Sequence, residues 1–212
     1  ALSKGARRQK DFDKYDVKKI GILGAGLMGA GIAYVTAKAG IEVVLIDMDQ
    51  AAAEKGKEYS TKILDKQLSK KKTTEEKKEK LLSLITPTTD YSLLKGADLI
   101  VEAVFENRDI KADVTAKAEA QISETAVFGS NTSTLPITGL AQNSSRPANF
   151  IGIHYFSPVE RMPLVEMIMG KETSHETLAK TRDYVQKIRK TPIVVNDSRG
   201  FYTSRVFGTY TG

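Results

Sequence analysis

Cysteine is absent from this chain of 212 residues, and histidine occurs only as His154 and His175. A protein without thiols forms no disulfide bonds and holds no metal through thiolates. The two histidines are well separated in the sequence, so we expect no zinc site and no other metal site. A run of about 18 apolar residues, the minimum for a membrane-spanning helix, is also absent, so we expect no membrane span.

Positive charge is what the chain has in excess, with a formal net charge of +6. Much of it lies in KGARRQK (residues 4–10) and SKKKTTEEKKEK (residues 69–80). Such runs usually form solvated helix faces, and they also attract ligands that carry phosphate groups. Proteins that bind single-stranded nucleic acids stack the bases on aromatic side chains. No aromatic residue interleaves the second run, so we expect no nucleic-acid partner.

Short apolar runs alternate along the chain with longer amphipathic segments. The predicted strands are residues 19–24, 42–47, 97–104, 126–131, 150–156, 164–169 and 192–197. The predicted helices are residues 27–39, 49–69, 74–84, 109–121 and 174–189. This alternation predicts an α/β fold with a doubly wound, mostly parallel sheet, whose last strands partly run antiparallel. Residues 49–84 are expected to form a helical pair that projects from the sheet.

The segment KIGILGAGLMGAGIA (residues 19–33) contains the spacing G-x-G-x-x-G at Gly24, Gly26 and Gly29. The spacing alone is common, but here it follows an apolar strand and opens a helix, as in a Rossmann-type dinucleotide site. Gly24 then permits the tight turn, Gly26 lets a pyrophosphate approach, and Gly29 lets the helix pack on the strand. The helix N-terminus offers free N–H groups to the phosphates.

Asp47 ends the next predicted strand, 21 residues after Gly26. An acid about 20 residues beyond the glycines holds the ribose hydroxyls, and its charge repels a 2′-phosphate. The sequence therefore predicts NAD rather than NADP. The alternative is that Asp47 only caps the next helix, a role that Asp49 is also able to fill. Leu27 and Met28 belong to the same predicted cofactor site.

Two further polar positions follow predicted strands. In EAVFENRDIK (residues 102–111), Glu106 and Lys111 are candidates for contact with the nicotinamide ribose. Ligands of doubly wound sheets bind at this end of the strands. The equally weighted alternative is that Glu106 is only an acid at a helix N-terminus and Lys111 only a solvated lysine. Small polar residues fill SNTSTLP (residues 130–136), which suits either ligand hydrogen bonding or a turn with a helix cap.

A histidine and a glutamate interrupt neighbouring apolar strands. His154 lies in FIGIHYF, and Glu166 follows 12 residues later in LVEMIM. A buried carboxylate is costly unless it is paired, and a carboxylate orients a histidine and raises its basicity. Alone, His154 reads more simply as a core residue, but the two polar positions together favour a catalytic base with its carboxylate partner. His175, at a polar helix start, is interpreted as a surface residue.

Five segments resemble those of the 3-hydroxyacyl-CoA dehydrogenases, namely GAGLMGAGIA, EAVFEN, SNTSTLPIT, GIHYFSPVERMPLVEM and DSRGFYTSR. The forms HYFSPV and GFYTSR are most similar to the dehydrogenase part of the multifunctional α-subunit of mitochondrial fatty-acid β-oxidation. The resemblance runs from about Val17 to Arg205. It implies NAD-dependent oxidation of a (3S)-hydroxyacyl-CoA to the 3-ketoacyl-CoA and an acyl-CoA substrate. It also implies a location in the mitochondrial matrix, with a peroxisome or the bacterial cytoplasm as the alternatives for similar relatives.

The resemblance also implies roles for single residues. His154 matches the base that takes the proton of the 3-hydroxyl group, and Glu166 matches the carboxylate that orients it. Ser133 matches the serine that holds the substrate oxygen. Ser204 stands where many relatives have a substrate-binding asparagine, and Arg199 stands where many have a proline. The matching cofactor positions are Gly24, Gly26, Asp47, Glu106 and Lys111.

By the same resemblance, residues 1–16 are expected to be a linker from a preceding hydratase domain, and residues 17–200 the NAD-binding domain. Residues 201–212 are expected to begin a helical domain that completes the acyl pocket. We therefore expect an oligomeric, multifunctional parent and weak or no turnover by the isolated chain.

Two alternatives stay open at this level. Another Rossmann-type dehydrogenase of β-hydroxyacids or sugar acids would share the cofactor site, although such enzymes commonly use a catalytic lysine from a following helical domain. A nucleotide-binding protein without activity would share the fold, but it has no need of His154, Glu166 and Ser133.

Overall fold

The computed structural model describes residues 11–197. The strands of this region are β1 (Lys19–Leu23), β2 (Glu42–Ile46), β3 (Ile85–Thr88), β4 (Leu99–Glu102), β5 (Val127–Ser130), β6 (Phe150–Tyr155), β7 (Leu164–Met169) and β8 (Thr191–Asn196). The α-helices are α1 (Leu27–Lys38), α2 (Gln50–Ser69), α3 (Glu75–Ser83), α4 (Arg108–Glu119), α5 (Ile137–Ala141) and α6 (His175–Lys187). Two short 3₁₀ helices span Tyr91–Leu94 and Pro147–Asn149.

The strands form a single sheet in the order β3-β2-β1-β4-β5-β6-β7-β8. Neighbours are parallel from β3 through β6, β7 is antiparallel to β6, and β8 is parallel to β7. The chain winds from β1 to β2 and β3, then returns to β4 on the other side of β1. Ligands bind at the carboxyl ends of the strands beside such a switch point. The predicted doubly wound, mostly parallel Rossmann-type fold is confirmed.

Helices cover both faces of the sheet because its strands are apolar on both sides. One core cluster includes Ile32 of α1, Leu64 of α2 and Tyr184 of α6. A second cluster, on the opposite face, includes Val114 of α4 and Ile137 of α5. Parallel strands buried on both faces read as continuous apolar runs, which is why the runs in the sequence predicted them.

The helix beginnings differ in a way that matters for the site. Asp49 caps α2 by accepting from the Ala52 N–H at 2.7 Å, and Asn107 caps α4 in the same manner. The residue before α1 is Gly26, which has no side chain and makes no cap hydrogen bond. The first N–H groups of α1 are therefore left available to a ligand.

The sequence prediction missed the edge strand β3 and the short helix α5. β3 has four residues and includes Pro87, which cannot donate to the strand ladder and is tolerated at a sheet edge. The predicted helical pair is formed by α2 and α3, and both helices pack against the rest of the domain. α2 packs along α1 and β3, and Leu64 and Leu81 join the core.

The expected flanking segments lie mainly outside the described residues, so that division of the chain stays a prediction. Within residues 11–197, none of the helices combines the length and the apolar character needed to cross a membrane. The same region contains no cluster of three acidic or histidine side chains arranged to hold a metal ion.

Candidate functional site

The turn between β1 and α1 lies at the switch point of the sheet. Gly24 has a φ of +97°, a conformation that residues with a Cβ rarely adopt. Its N–H donates to the Ile46 carbonyl at 2.8 Å. A Cβ at Gly24 would lie 2.6 Å from the Ala103 carbonyl oxygen. The turn thus fits tightly between the ends of β2 and β4, in agreement with the role predicted for this glycine.

The other two glycines of the turn differ in their surroundings. A Cβ at Gly29 would lie 1.7 Å from the Gly24 carbonyl oxygen, so only glycine lets α1 pack here. A Cβ at Gly26 would meet no atom of the described residues within 4 Å, and the φ of −68° suits any residue. Folding therefore gives no reason for glycine at position 26. Open space before an uncapped helix N-terminus is what a pyrophosphate requires, so this turn fits a dinucleotide.

Asp47 follows β2 and faces the same turn. Its Oδ2 accepts from the Ala25 N–H at 2.8 Å, and its Oδ1 accepts from the Met48 N–H at 2.6 Å. Since Asp49 caps α2, Asp47 does not serve as that cap. The carboxylate is half-buried and fixed beside the glycine turn, where the predicted contact with ribose hydroxyls requires it.

A buried ion pair lies at the end of β4. The Lys111 Nζ is 2.7 Å from Glu102 Oε2 and 3.2 Å from Glu106 Oε1. Glu102 is 1% exposed, and its Oε1 accepts from the Ser130 Oγ at 2.8 Å. Buried charges require partners of this kind. Lys111 is therefore no solvated lysine, and its ammonium is a counter-ion of two glutamates beneath the predicted ribose site.

Glu106 extends from this ion pair to the loop after β5. Its Oε2 accepts from Thr132 Oγ1 at 2.7 Å and from Thr134 Oγ1 at 2.9 Å. Burial opposes ionisation of Glu106, but the hydrogen bonds from both threonines and the charge of Lys111 outweigh it and hold the pKa of this carboxyl below its usual value. Glu106 is ionised at neutral pH. With 39% of its side chain exposed, Glu106 is the carboxylate of the network that a bound nucleotide can reach, whereas Glu102 is buried.

Ser133 lies in the middle of this braced loop. Thr132 and Thr134 flank it, and the Asn131 Oδ1 accepts from the Tyr155 N–H at 3.0 Å, which ties the loop to the end of β6. The Ser133 side chain is half-buried and makes no hydrogen bond to other residues within 11–197. An available hydroxyl on a braced loop suits the predicted contact with a substrate oxygen.

His154 and Glu166 are direct cross-strand partners in the antiparallel pair of β6 and β7. Such partners share one face of the sheet, so the two polar residues of these apolar strands meet. The His154 Nδ1 lies 3.5 Å from Glu166 Oε1, and the two residues are 8% and 0% exposed. Because Nδ1 faces the carboxylate, the arrangement favours the tautomer that carries its proton on Nδ1 and leaves the Nε2 lone pair open to a substrate.

The fold brings most of the predicted residues together at the carboxyl ends of the parallel strands. The glycine turn follows β1, Asp47 follows β2, Glu106 follows β4, Ser133 follows β5, and the His154–Glu166 pair joins β6 and β7. Leu27 and Met28 open α1, and Leu27 is 62% exposed. His175 is exposed at the start of α6. Ser204 and Arg199 lie outside the described residues, and the functional roles of all these residues stay predictions.

Sequence reasoning missed Glu102 and Ser130, which hold the network together. The signal for Glu102 was present, because a carboxylate in the apolar run LIVEAV is as costly as Glu166 in LVEMIM. Ser130 gave no comparable signal, since a strand-end hydroxyl is equally common in turns.

Comparison with known proteins finds a protein family whose model matches this chain. Residues 19–198 match the family described as 3-hydroxyacyl-CoA dehydrogenase, NAD binding domain. The (S)-3-hydroxybutyryl-CoA dehydrogenase from Ralstonia eutropha is 39% identical with a TM-score of 0.87, over 91% of this chain and 68% of that one.

Two further solved structures are 30% identical to the chain. The 3-hydroxybutyryl-CoA dehydrogenase from Escherichia coli has a TM-score of 0.87, over 90% of this chain and 40% of that one. The dehydrogenase part of multifunctional enzyme 1 from C. elegans has a TM-score of 0.81, over 96% of this chain and 46% of that one. The chain thus corresponds to the amino-acid sequence of only part of each relative.

Proposed function

Because this chain belongs to the 3-hydroxyacyl-CoA dehydrogenase family and forms its NAD-binding domain, we propose that it supplies the cofactor site and the reacting side chains for oxidation of a (3S)-hydroxyacyl-CoA to the 3-ketoacyl-CoA. The observation that carries the proposal is the position of His154 against Glu166, 3.5 Å apart, at the sheet edge that also holds Ser133 and the glycine turn.

In the proposed reaction His154 takes the proton of the substrate 3-hydroxyl group on Nε2. Bound NAD⁺ supplies the acceptor for the hydride that leaves C3, so that the products are the ketone, NADH and a proton. Glu166 orients the imidazole through Nδ1 and stabilises the imidazolium that forms. The Ser133 hydroxyl donates to the substrate oxygen and positions C3. One positioned base contributes about 10²–10⁴-fold, and alignment of the reactants contributes more.

We further propose that the reaction serves fatty-acid β-oxidation in the mitochondrial matrix, within a larger multifunctional and oligomeric enzyme. Support comes from the motifs HYFSPV and GFYTSR and from the similarity to the dehydrogenase part of the C. elegans enzyme. Fractionation of cells, with immunodetection of this chain in the matrix and its apparent size on a denaturing gel, tests the location and the larger parent together.

The binding site proposed for the CoA phosphates is a cleft between α1, α2 and the loop that joins β6 to β7. Its volume is about 590 Å³. The cations along its walls are Lys38, Lys62, Lys66, Lys70, Lys72 and Arg161. Lys70 and Lys72 belong to the lysine-rich run of residues 69–80, which the sequence analysis gave as a possible attractor of phosphate-bearing ligands. Electropositive walls of this kind concentrate phosphate-bearing ligands.

Charge reversal at the C-terminal end of α2, at Lys66 and at the capping residue Lys70, tests this cleft. The double variant Lys66→Glu/Lys70→Glu is expected to raise KM for acetoacetyl-CoA by about tenfold or more at low salt, because two attractions become repulsions. The affinity for NADH should be unchanged, since the glycine turn lies at the opposite end of α1. The matched control is Lys55→Glu/Lys80→Glu, which changes net charge equally and leaves the lining of the cleft intact. Equal KM values for both double variants would remove the CoA phosphates from this cleft.

The reaction itself is tested by comparing substrates. Within the proposed larger enzyme, the chain is expected to oxidise NADH in the presence of acetoacetyl-CoA and to leave free acetoacetate and β-hydroxyacids of the sugar-acid type essentially unused. Absorbance at the NADH band measures both. Turnover of the free acids at the same rate would point to another β-hydroxyacid dehydrogenase. If NADH binds but no substrate is turned over, even in a chain extended by its natural continuation, the protein would be a nucleotide-binding protein without activity.

A further inference from the structure

The cleft proposed for the CoA phosphates adjoins a second cavity of about 590 Å³. The two cavities share the walls formed by Tyr34, Lys38, Glu160 and Arg161. The cations that line only the second cavity, Lys187, Arg189 and Lys190, come from the end of α6 and the turn before β8. The paired cavities therefore form one continuous cationic region beside the loop between β6 and β7.

Glu160 is the exception in this region. Every other charged residue that lines either cavity within the described chain is a lysine or an arginine. Glu160 forms part of both linings, so its carboxylate stands at the junction of the two cavities. A single carboxylate among many cations lowers the attraction for an incoming anion, because it contributes the opposite potential at the same place.

The position of the Glu160 carboxylate is fixed by α2. Its Oε2 accepts from the Tyr59 hydroxyl at 2.8 Å. Burial, followed by the hydrogen bond to Glu160, raises the pKa of Tyr59 to about 12, so the phenol keeps its proton and donates throughout the neutral range. Tyr59 therefore holds the carboxylate of Glu160 in place at the wall of the cleft.

The loop around Glu160 is also held from both sides. The Lys190 ammonium donates to the Val159 carbonyl at 2.7 Å and to the Met162 carbonyl. A Cβ added at Gly31 of α1 would lie 2.9 Å from the Val159 Cβ, which shows how closely the loop packs on α1. Since backbone contacts on both sides of Glu160 hold the loop, removal of the charge alone should leave the loop in place.

We infer that Glu160 is an internal counter-ion of this cleft and that it weakens the binding of a phosphate-bearing ligand there, namely the 3′-phospho-ADP portion of CoA. The inference rests on the proposed function for the identity of that ligand. A cleft lined by cations alone would hold substrate and product CoA esters strongly, whereas the fixed carboxylate lowers that affinity and favours their release. Glu160 is thus a residue that determines affinity and specificity and takes no part in the chemical step.

The substitution Glu160→Gln tests the inference, because glutamine keeps the shape and can still accept from Tyr59. Calorimetric titration with CoA at low salt is expected to give about three- to tenfold tighter binding than the unchanged protein, as one charge near a doubly charged phosphate predicts. The gain should nearly vanish in about 0.5 M salt, where charges are screened within a few ångströms. Dephospho-CoA, which lacks the 3′-phosphate, should gain less. NADH affinity should not change.

A second variant separates charge from structure. Tyr59→Phe removes the hydrogen bond and leaves the charge, so CoA affinity should not rise in this variant. CoA binding that is unchanged or weakened in Glu160→Gln, with NADH binding intact, overturns the inference, and equal weakening in both variants would make Glu160 a loop anchor instead. In these cases the proposed function survives if the unchanged protein binds CoA. Failure of the unchanged protein to bind CoA at any salt concentration would overturn the proposed function as well.

Discussion

In the proposed larger enzyme, substitution of His154 by glutamine is expected to slow NADH oxidation with saturating acetoacetyl-CoA by about 10²–10⁴-fold, the contribution of one positioned group that accepts the proton in one direction and donates it in the other. Glutamine can still reach toward Glu166, but its amide can neither donate the proton that the ketone oxygen takes up in this direction nor accept it in the reverse direction. The loss should appear in kcat and equally in kcat/KM, because the proton is transferred only in the transition state. NADH affinity should be retained, since the glycine turn and Asp47 do not contact this pair.

The matched control is His175→Gln. His175 is the other histidine of the chain and lies exposed at the start of α6, beside the beginning of β6 and so at the other end of that strand from His154. Its replacement should leave kcat within about twofold, as for most surface substitutions. A His154→Gln protein that keeps the rate of the unchanged protein would return His154 to a role in the core and would leave the assignment resting on the NAD-binding fold.

Substitution of single glycines in the turn after β1 should separate cofactor binding from folding. In Gly29→Ala the new methyl group would lie 1.7 Å from the Gly24 carbonyl oxygen, so α1 has to move. We expect a loss of at least about 2 kcal/mol in the free energy of unfolding, as for overpacked sites. We also expect NADH affinity to fall by about a hundredfold, because the helix N-terminus that binds phosphate is displaced.

Gly26→Ala is the matched comparison. Its methyl group meets no described atom within 4 Å and its φ of −68° is permitted, so the free energy of unfolding should change by less than about 1 kcal/mol. The same methyl group occupies the space that a pyrophosphate needs, so NADH affinity should fall by about tenfold or more. Denaturant unfolding and fluorescence titration measure the two quantities. Unchanged NADH affinity in a folded Gly26→Ala protein would place the pyrophosphate elsewhere.

Local patterns in the sequence predicted most of the strands of the fold and the glycine turn of the cofactor site. Seven of the eight strands of the sheet were predicted, because each contains a short apolar run. For the central parallel strands that run reflects burial on both faces. The glycine spacing could be interpreted because it combined a strand, a turn and a helix over a few residues. The prediction missed β3 because a four-residue edge strand that contains Pro87 has neither a long apolar run nor an alternating pattern.

The sequence by itself determined the fold class, the family and the candidate residues for chemistry, since each depends on residues close together along the chain. The tertiary structure alone decided which of these residues meet. The antiparallel register of β6 and β7 sets His154 opposite Glu166, and a one-residue shift would turn them to opposite faces. Likewise, Lys111 became a buried counter-ion of Glu102, and α2 met Glu160 of a distant loop. Such pairings depend on strand register and helix packing, which no local pattern encodes.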